Sequence, residues 1–423
     1  MSYMLSSLFV FLVAGMPVAV AIGGACVVYL YFGGDRVPVI ALAQRITSGA
    51  DSFIMLAIPF FMLAGELMNA GGITKRLVKL AQTLVGSFSG GLAYVVVVVN
   101  MIMAGVSGAA IADAAAVGSV MIPSMEKSGY RREFAAAINA AAATIGPVIP
   151  PSVGFVIYGS LSNVSVGKLF LAGTIPGIIM GIYLMIACFV VAKRENLPRG
   201  AVSTFREKML ALKDASAAII MPVIILGGIL TGVVTPTEAA VTAVVYGLFV
   251  GMFIYKEIKL IHLPRMFANA GKSTAVIMFI IAVAQAFGWF LTRMGVPGQL
   301  VGLFGGLTHG AAIFLIVINV VLLILGCFME GGSIMILLTP LLMPVIAGFN
   351  IDPVQFGVIM QLNIMIGLLT PPVGMLLYVV AGISKLPIQS LMRDMIPFYI
   401  ALLAVLIMVT YIPILTLWLP SIL

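Results

Sequence analysis

The chain has 423 residues, 62% of them hydrophobic and only 9% charged, with a net charge of +8 and a mean hydropathy of +1.22. A soluble domain carries about 25% charged residues, so composition excludes a water-soluble globular protein, and the longest polar stretch, 193–214, is too short for an appended soluble domain. The basic residues fall in short loops between apolar runs, which reads as the positive-inside pattern of a membrane protein and not as a nucleic-acid surface; Cys26, Cys188 and Cys327 are scattered in apolar segments and imply neither disulfides nor a metal site.

In chain order, full crossings of a ~30 Å hydrocarbon layer are expected at Leu5–Tyr31, Ser52–Ala70, Glu133–Tyr158, Leu169–Val191, Ala215–Val234, Glu238–Ile254, Ser273–Thr292, Pro353–Ile383 and Pro397–Leu419. The N-terminus lacks the basic segment and cleavage site of a signal peptide, so it is expected to remain in the mature chain. Thr235-Pro236-Thr237-Glu238 reads either as a tight turn between spans or as a mid-helix break. Two further apolar stretches, Leu92–Met125 and Ala311–Ile346, are each too long for one span. Both are interrupted by small and polar residues, Gly105-Val106-Ser107-Gly108 in the first and Gly326 to Gly332 in the second. Helical hairpins that enter and leave by one face fit both, because irregular backbone at that depth survives only where protein or a water-filled cavity satisfies it.

These stretches belong to an internal repeat. Ile145-Gly146-Pro147-Val148-Ile149-Pro150-Pro151 matches Ile366-Gly367-Leu368-Leu369-Thr370-Pro371-Pro372, and Gly72 precedes Ser107 by the same distance as Gly295 precedes Glu330. Each copy therefore reads as span, amphipathic arm, hairpin with a polar tip, and span broken by Gly and Pro-Pro. Five crossings separate the starts of the two copies. Five is odd, so the copies are expected upside down relative to each other. Placing the base of the first hairpin in the cytoplasm leaves only Arg36, Arg45 and Lys168 outside, with Arg293 at or within the membrane. The fold class is thus an all-α polytopic membrane protein forming one integral membrane domain over 1–423. Its first inverted repeat is 52–160 (hairpin 91–126, broken helix 133–159), followed by connecting spans and cytoplasmic loops over 161–272. The second repeat is 273–383 (hairpin 311–347, broken helix 353–383), and 384–423 is a C-terminal span.

Inverted repeats with broken spans and re-entrant tips point to a transporter site near the midplane. Each break frees carbonyls that suit a hard cation and N–H groups that suit an anion. Asp113 and Glu330 are carboxylates at membrane depth, where such groups are costly and by default functional. Glu66 and Glu238 share that status, although Glu238 also reads as a helix-start cap. Arg293 ends an apolar span; it reads as snorkelling to the interface or as the partner of a substrate carboxylate. An intramembrane serine protease would use the Gly-x-Ser-Gly of 105–108 but needs an embedded His as base, and His262 and His309 fall in expected loops. A channel, or a transporter working without a binding protein, is the remaining alternative, and a channel leaves the paired tips unexplained.

At these motifs the chain resembles the large membrane subunit of the tripartite ATP-independent periplasmic (TRAP) transporters. The resemblance runs through Ser107-Gly108-Ala109, Ala112-Asp113, Gly146 to Ser152, Thr235 to Ala240, Leu338-Thr339-Pro340, Phe356-Gly357 and Gly367 to Gly374. It implies an elevator-type secondary transporter of the bacterial inner membrane rather than an enzyme. Sodium is implied as the coupling ion, with two or more sites. A small membrane subunit of about four helices is implied as partner, here as a separate chain, with a periplasmic substrate-binding protein that delivers a small organic acid. One sodium site then maps to Ser107, Gly146, Ile149 and Pro151, and another to Gly326, Phe328, Gly367, Thr370 and Val373. The substrate region maps to Asp113, Ser152, Arg293 and Glu330. Many members have Asp at the position of Glu330, followed by Ala or Thr instead of Gly331-Gly332; the departure bears on sialic acid and leaves other carboxylates open.

Overall fold

The structure, a computed structural model, describes residues 2–33, 37–296, 298–299, 302 and 310–422. Nineteen α-helices and no strand form among these residues. Among the described residues seven helical segments are long and apolar enough to cross a membrane, and the chain is a multi-pass membrane protein.

The first hairpin is α6 (Gly91–Ser107) and α7 (Ala110–Lys127). Gly108 turns between them at φ +59, a left-handed conformation that glycine adopts without a Cβ penalty. α8 (Arg132–Ala143) and α9 (Val153–Ser162) are the two halves of a broken helix. Between them, Pro147, Pro150 and Pro151 supply no backbone N–H, so an α-helical ladder cannot continue. Ser152 stabilises the restart, its hydroxyl accepting from Phe155 N at 3.3 Å and donating to Pro147 O at 2.5 Å.

The second half of the chain repeats this order. Numbered consecutively, α14 (Ala311–Gly326) and α15 (Gly331–Gly348) form the second hairpin, and α16 (Pro353–Gly367) and α17 (Met375–Ser384) the second broken helix. Both Pro-Pro bonds, 150–151 and 371–372, are cis. α6 and α7 pack on α8, and α14 and α15 on α16. The two units then cross, α7 against α17 and α15 against α9. Each tip seats on a break of its own unit: a Cβ on Gly108 would lie 2.4 Å from Pro151 O, and one on Gly326 2.8 Å from Gly367 Cα. The amphipathic arm read after Gly295 lies largely outside the described residues, as do Arg36 and His309.

Helices α4 (Ala57–Ala70) and α13 (Leu263–Arg293) close the remaining side. They pack on each other, on α12 (Pro236–Phe249) and on α2 and α3 (Val18–Phe32 and Val39–Ala50). At the base of the first hairpin, Arg131 makes a two-toothed contact with Asp394 (2.8 and 3.0 Å) and also grips Glu195 at 2.6 Å, binding that base to the ends of α10 (Val166–Arg194) and α18 (Ile388–Tyr411).

Several expected boundaries need correction. Leu5–Tyr31 is not one crossing but two helices of 12 and 15 residues, α1 (Ser2–Val13) and α2, packed on each other. At ~1.5 Å per residue neither spans the ~30 Å core alone; Gly15 at φ +77 and Pro17 make the turn. α13 begins ten residues before the expected Ser273 and is 31 residues long, so Arg265 and Lys272 sit on the helix and not in a loop. The C-terminal span starts at Ile388, tolerates Pro397 internally, and breaks before Pro413 into α19 (Ile414–Ser421). Thr235-Pro236-Thr237-Glu238 is a turn: α11 (Phe205–Leu230) ends before it, and Thr235 and Glu238 form a reciprocal capping box that starts α12.

Candidate substrate cavity and ion sites

A cavity of about 480 Å³ lies where the two tips, the two broken helices, α4 and α13 meet. From the first tip and the start of α7 come Ser107 to Ala112, and from the start of α9 come Val153 and Gly154. From the second tip come Glu330 to Gly332, and α16 adds Gln361. α4 contributes Glu66 and Asn69, and α13 contributes Asn269 and Ser273. Three helix N-termini, those of α7, α9 and α15, therefore open on one space. Their unpaired N–H groups and dipoles favour negative charge. No side chain caps the first turn of α7, and Ser152 caps only Phe155 in α9. In α15 the Glu330 carboxylate caps its own helix, accepting from Ser333 N at 3.1 Å.

Of the four residues assigned to the substrate region, only Glu330 lines this cavity. Ser152 is fully buried in the break behind Val153, with its hydroxyl engaged in the cap. Arg293 is exposed at the far end of α13, 5.7 Å from the Trp289 ring centre. It lies about 24 Å along the helix from Ile277, the last cavity-lining residue of α13. Asp113 is fully buried one turn into α7 and faces the first break. Its Oδ1 accepts from Ser107 Oγ at 2.5 Å, while Oδ2 has no partner among the described residues and lies 2.4 Å from where a Cβ on Gly146 would stand.

The residues assigned to cation sites fall at the two tip–break junctions. Ser107 and Gly146 flank Asp113, and Pro151 carries the carbonyl that Gly108 abuts. Ile149 packs outward on Gly177 of α10. A buried carboxylate oxygen without a partner is costly, and beside a hydroxyl and a helix break it is the donor set that a hard cation satisfies; the first junction fits such an ion. At the second junction Gly326 and Gly367 touch through their backbones, and Gly374 N donates to Cys327 O at 3.1 Å. Thr370 lies in the break, its hydroxyl donating to Ile366 O at 2.9 Å, and Val373 lies three residues on. Phe328 is 57% exposed, so its side chain takes no part in the junction. Among the described residues no group of His, Cys, Asp and Glu has the make-up of a transition-metal site.

Sequence reasoning missed Gln361, Asn69, Asn269 and Ser273. Gln361 is 2% exposed, makes no hydrogen bond among the described residues, and lies over the start of α9. Its Oε1 is 2.3 Å from where a Cβ on Gly154 would sit. Asn269 Nδ2 donates to Glu66 Oε1 at 3.1 Å across the α4–α13 wall. The signal for Gln361 was one of three amides, with Gln355 and Asn363, in an otherwise apolar helical run, because polar side chains at membrane depth are rare and tend to be functional.

A multi-pass helical protein with two hairpin tips and two broken helices meeting at one cavity has an architecture that suits a transporter permease. Comparison with known proteins gives the family: the profile of the "Tripartite ATP-independent periplasmic transporter, DctM component" matches residues 5–415. A putative TRAP transporter large permease of Haemophilus influenzae is 42% identical, over 95% of this chain and 94% of its own length. The 2,3-diketo-L-gulonate TRAP transporter large permease of Escherichia coli is 42% identical (94% of each), and the C4-dicarboxylate large permease of Pseudomonas aeruginosa 40% (95% and 94%). The crystal structure of the YdaH transporter of Alcanivorax borkumensis aligns with a TM-score of 0.63, covering 90% of this chain and 87% of that one; at 14% identity the likeness is one of fold. The chain belongs to the DctM-component family of TRAP transporter large permeases.

Proposed function

We propose that the chain is the membrane-embedded permease of a sodium-coupled importer of a small organic acid in a bacterial inner membrane. The observation that carries this is the convergence of three helix N-termini on one cavity beside two tip–break junctions, the first holding the unpartnered Asp113 oxygen. The N-termini suit the acid's carboxylate. Ser107, Gly146, Ile149 and Pro151 would hold one sodium ion, with Asp113 beside them, and Gly326, Phe328, Gly367, Thr370 and Val373 a second. Bound sodium supplies positive charge and neutralises the buried Asp113. The residues themselves couple ion to substrate by position: Ser107 and Gly108 belong both to the first junction and to the cavity wall, so ordering that tip shapes both.

The crossed packing of α7 on α17 and of α15 on α9 supports the movement of both hairpin units as one body against a wall that includes α4 and α13, an elevator motion. The relatives' names support organic acids as substrates, and they support partners: this chain covers 64% of the isethionate permease named DctMQ, leaving room there for a further component. Delivery by a periplasmic binding protein and assembly with a small membrane subunit complete the reading. Liposomes holding this chain, the small subunit and the binding protein should take up the labelled acid. Omitting either partner should abolish uptake, and full uptake by this chain alone contradicts the tripartite assignment.

A further inference from the structure

The names of this chain's relatives span a sugar acid and a dicarboxylate, and the chemistry of the cavity bears on which of the two suits this chain. No Lys, Arg or His is among its described lining residues, whereas two carboxylates, Glu66 and Glu330, are. Among the described lining residues the unused polar groups are carboxylate oxygens, which only accept, and neutral donors such as Asn69 Nδ2 and the Ser273 hydroxyl. Glu330 Oε2 takes Ser333, leaving Oε1; Glu66 Oε1 takes Asn269, leaving Oε2; and the Gln361 amide, 2% exposed, has both its donor and its acceptor unused. The N-terminus of α15 is already capped by the Glu330 carboxylate, whereas those of α7 and α9 carry no carboxylate cap and lie together beside Gln361. A ligand thus meets, in one cavity, an anion-accepting place at the starts of α7 and α9 and carboxylates that call for hydroxyl donors. A second carboxylate on the ligand would face Glu66 or Glu330 with no cation between them.

Resting on the reading of the chain as an organic-acid permease, we propose that this cavity selects a polyhydroxylated monocarboxylate. Its carboxylate lies at the starts of α7 and α9 beside Gln361, and its hydroxyls donate to Glu330 and Glu66.

Three six-carbon probes separate the possibilities: gluconate (polyhydroxy monocarboxylate), adipate (dicarboxylate) and 6-aminohexanoate (zwitterion). Each is titrated calorimetrically in sodium chloride into the full chain purified with its small membrane subunit. Gluconate should bind at least about tenfold more tightly than either competitor. Glu330→Gln, which keeps the oxygen that caps Ser333, should weaken gluconate about tenfold, the loss of one charge-assisted hydrogen bond, and improve adipate. Gln361→Leu should weaken gluconate by a similar factor. Adipate binding as tightly as gluconate overturns the substrate class while leaving carboxylate import standing. Binding of 6-aminohexanoate alone overturns both readings, and binding of none of the three overturns the inference.

Discussion

Gly326 and Gly367 meet backbone to backbone: a Cβ on Gly367 would lie 2.5 Å from Gly326 Cα, and one on Gly326 2.8 Å from Gly367 Cα. The second hairpin therefore reaches the second break at a distance that only two glycines allow. One added methyl at either position has backbone, not a flexible side chain, to displace. Gly326→Ala and Gly367→Ala should each destabilise the protein by about 1–3 kcal/mol, the usual cost of overpacking, and should lower uptake beyond the loss of folded protein. Gly382→Ala, where no atom lies within 4 Å, is the control and should behave as wild type. Thermal unfolding and uptake per folded molecule decide this; unchanged values in both junction variants would show that the contact is not needed.

Asp113 supplies a second prediction. Asn at this position still accepts from Ser107 but lacks the charge beside Gly146. The sodium concentration for half-maximal uptake should rise about tenfold, the loss of roughly one charge-assisted contact, with little change in folded yield. An unaltered sodium dependence would remove Asp113 from the ion site.

What the sequence made legible and what it hid have physical causes. The tips and breaks were readable because Gly108, the Pro-Pro pairs and Gly374 dictate backbone geometry locally, whatever surrounds them. The substrate residues were not, because lining a cavity depends on which helix face points inward. Asp113 and Glu330 are both polar residues near a tip. Yet Asp113 lies a turn into α7 and is turned toward the break, whereas Glu330 is the N-cap of α15 and stays at the cavity edge. The α1–α2 turn was overlooked because Gly15 and Pro17 are brief interruptions of a largely apolar run, and mean hydropathy does not register a turn. α13 was drawn too short because Arg265 and Lys272 suggested a loop, whereas both are good helix formers on an exposed face.

Arg293 tests that lesson. Its place at the exposed end of α13, beside Trp289 and far from the cavity, predicts that Arg293→Ala leaves substrate affinity within about twofold of wild type; a contact to the substrate carboxylate would cost tenfold or more. Affinity measured per folded molecule is the relevant quantity. A tenfold loss in Arg293→Ala, only partly recovered by Arg293→Lys, would show that the transport body moves to meet this end of α13.

The Arg131–Asp394 pair anchors the base of the first hairpin. Its Asp394 side chain is only 9% exposed, whereas the Arg131 side chain is 46% exposed. Asp394→Asn should therefore cost between the ~1 kcal/mol of an exposed pair and the ~3 kcal/mol of a buried one. The loss should appear as a lower unfolding temperature with sodium dependence unchanged. A shift in sodium dependence without destabilisation would mean that this contact belongs to the transport cycle and not to the scaffold.

The central claim is that carboxylate uptake is driven by sodium bound at the two tip–break junctions. The most direct measurement is uptake of labelled acid into liposomes carrying this chain, its small subunit and its binding protein, under an imposed inward gradient of sodium, potassium or choline without ATP. The account predicts accumulation against a concentration gradient with sodium alone. Equal accumulation with potassium or choline, or a requirement for ATP, would contradict it.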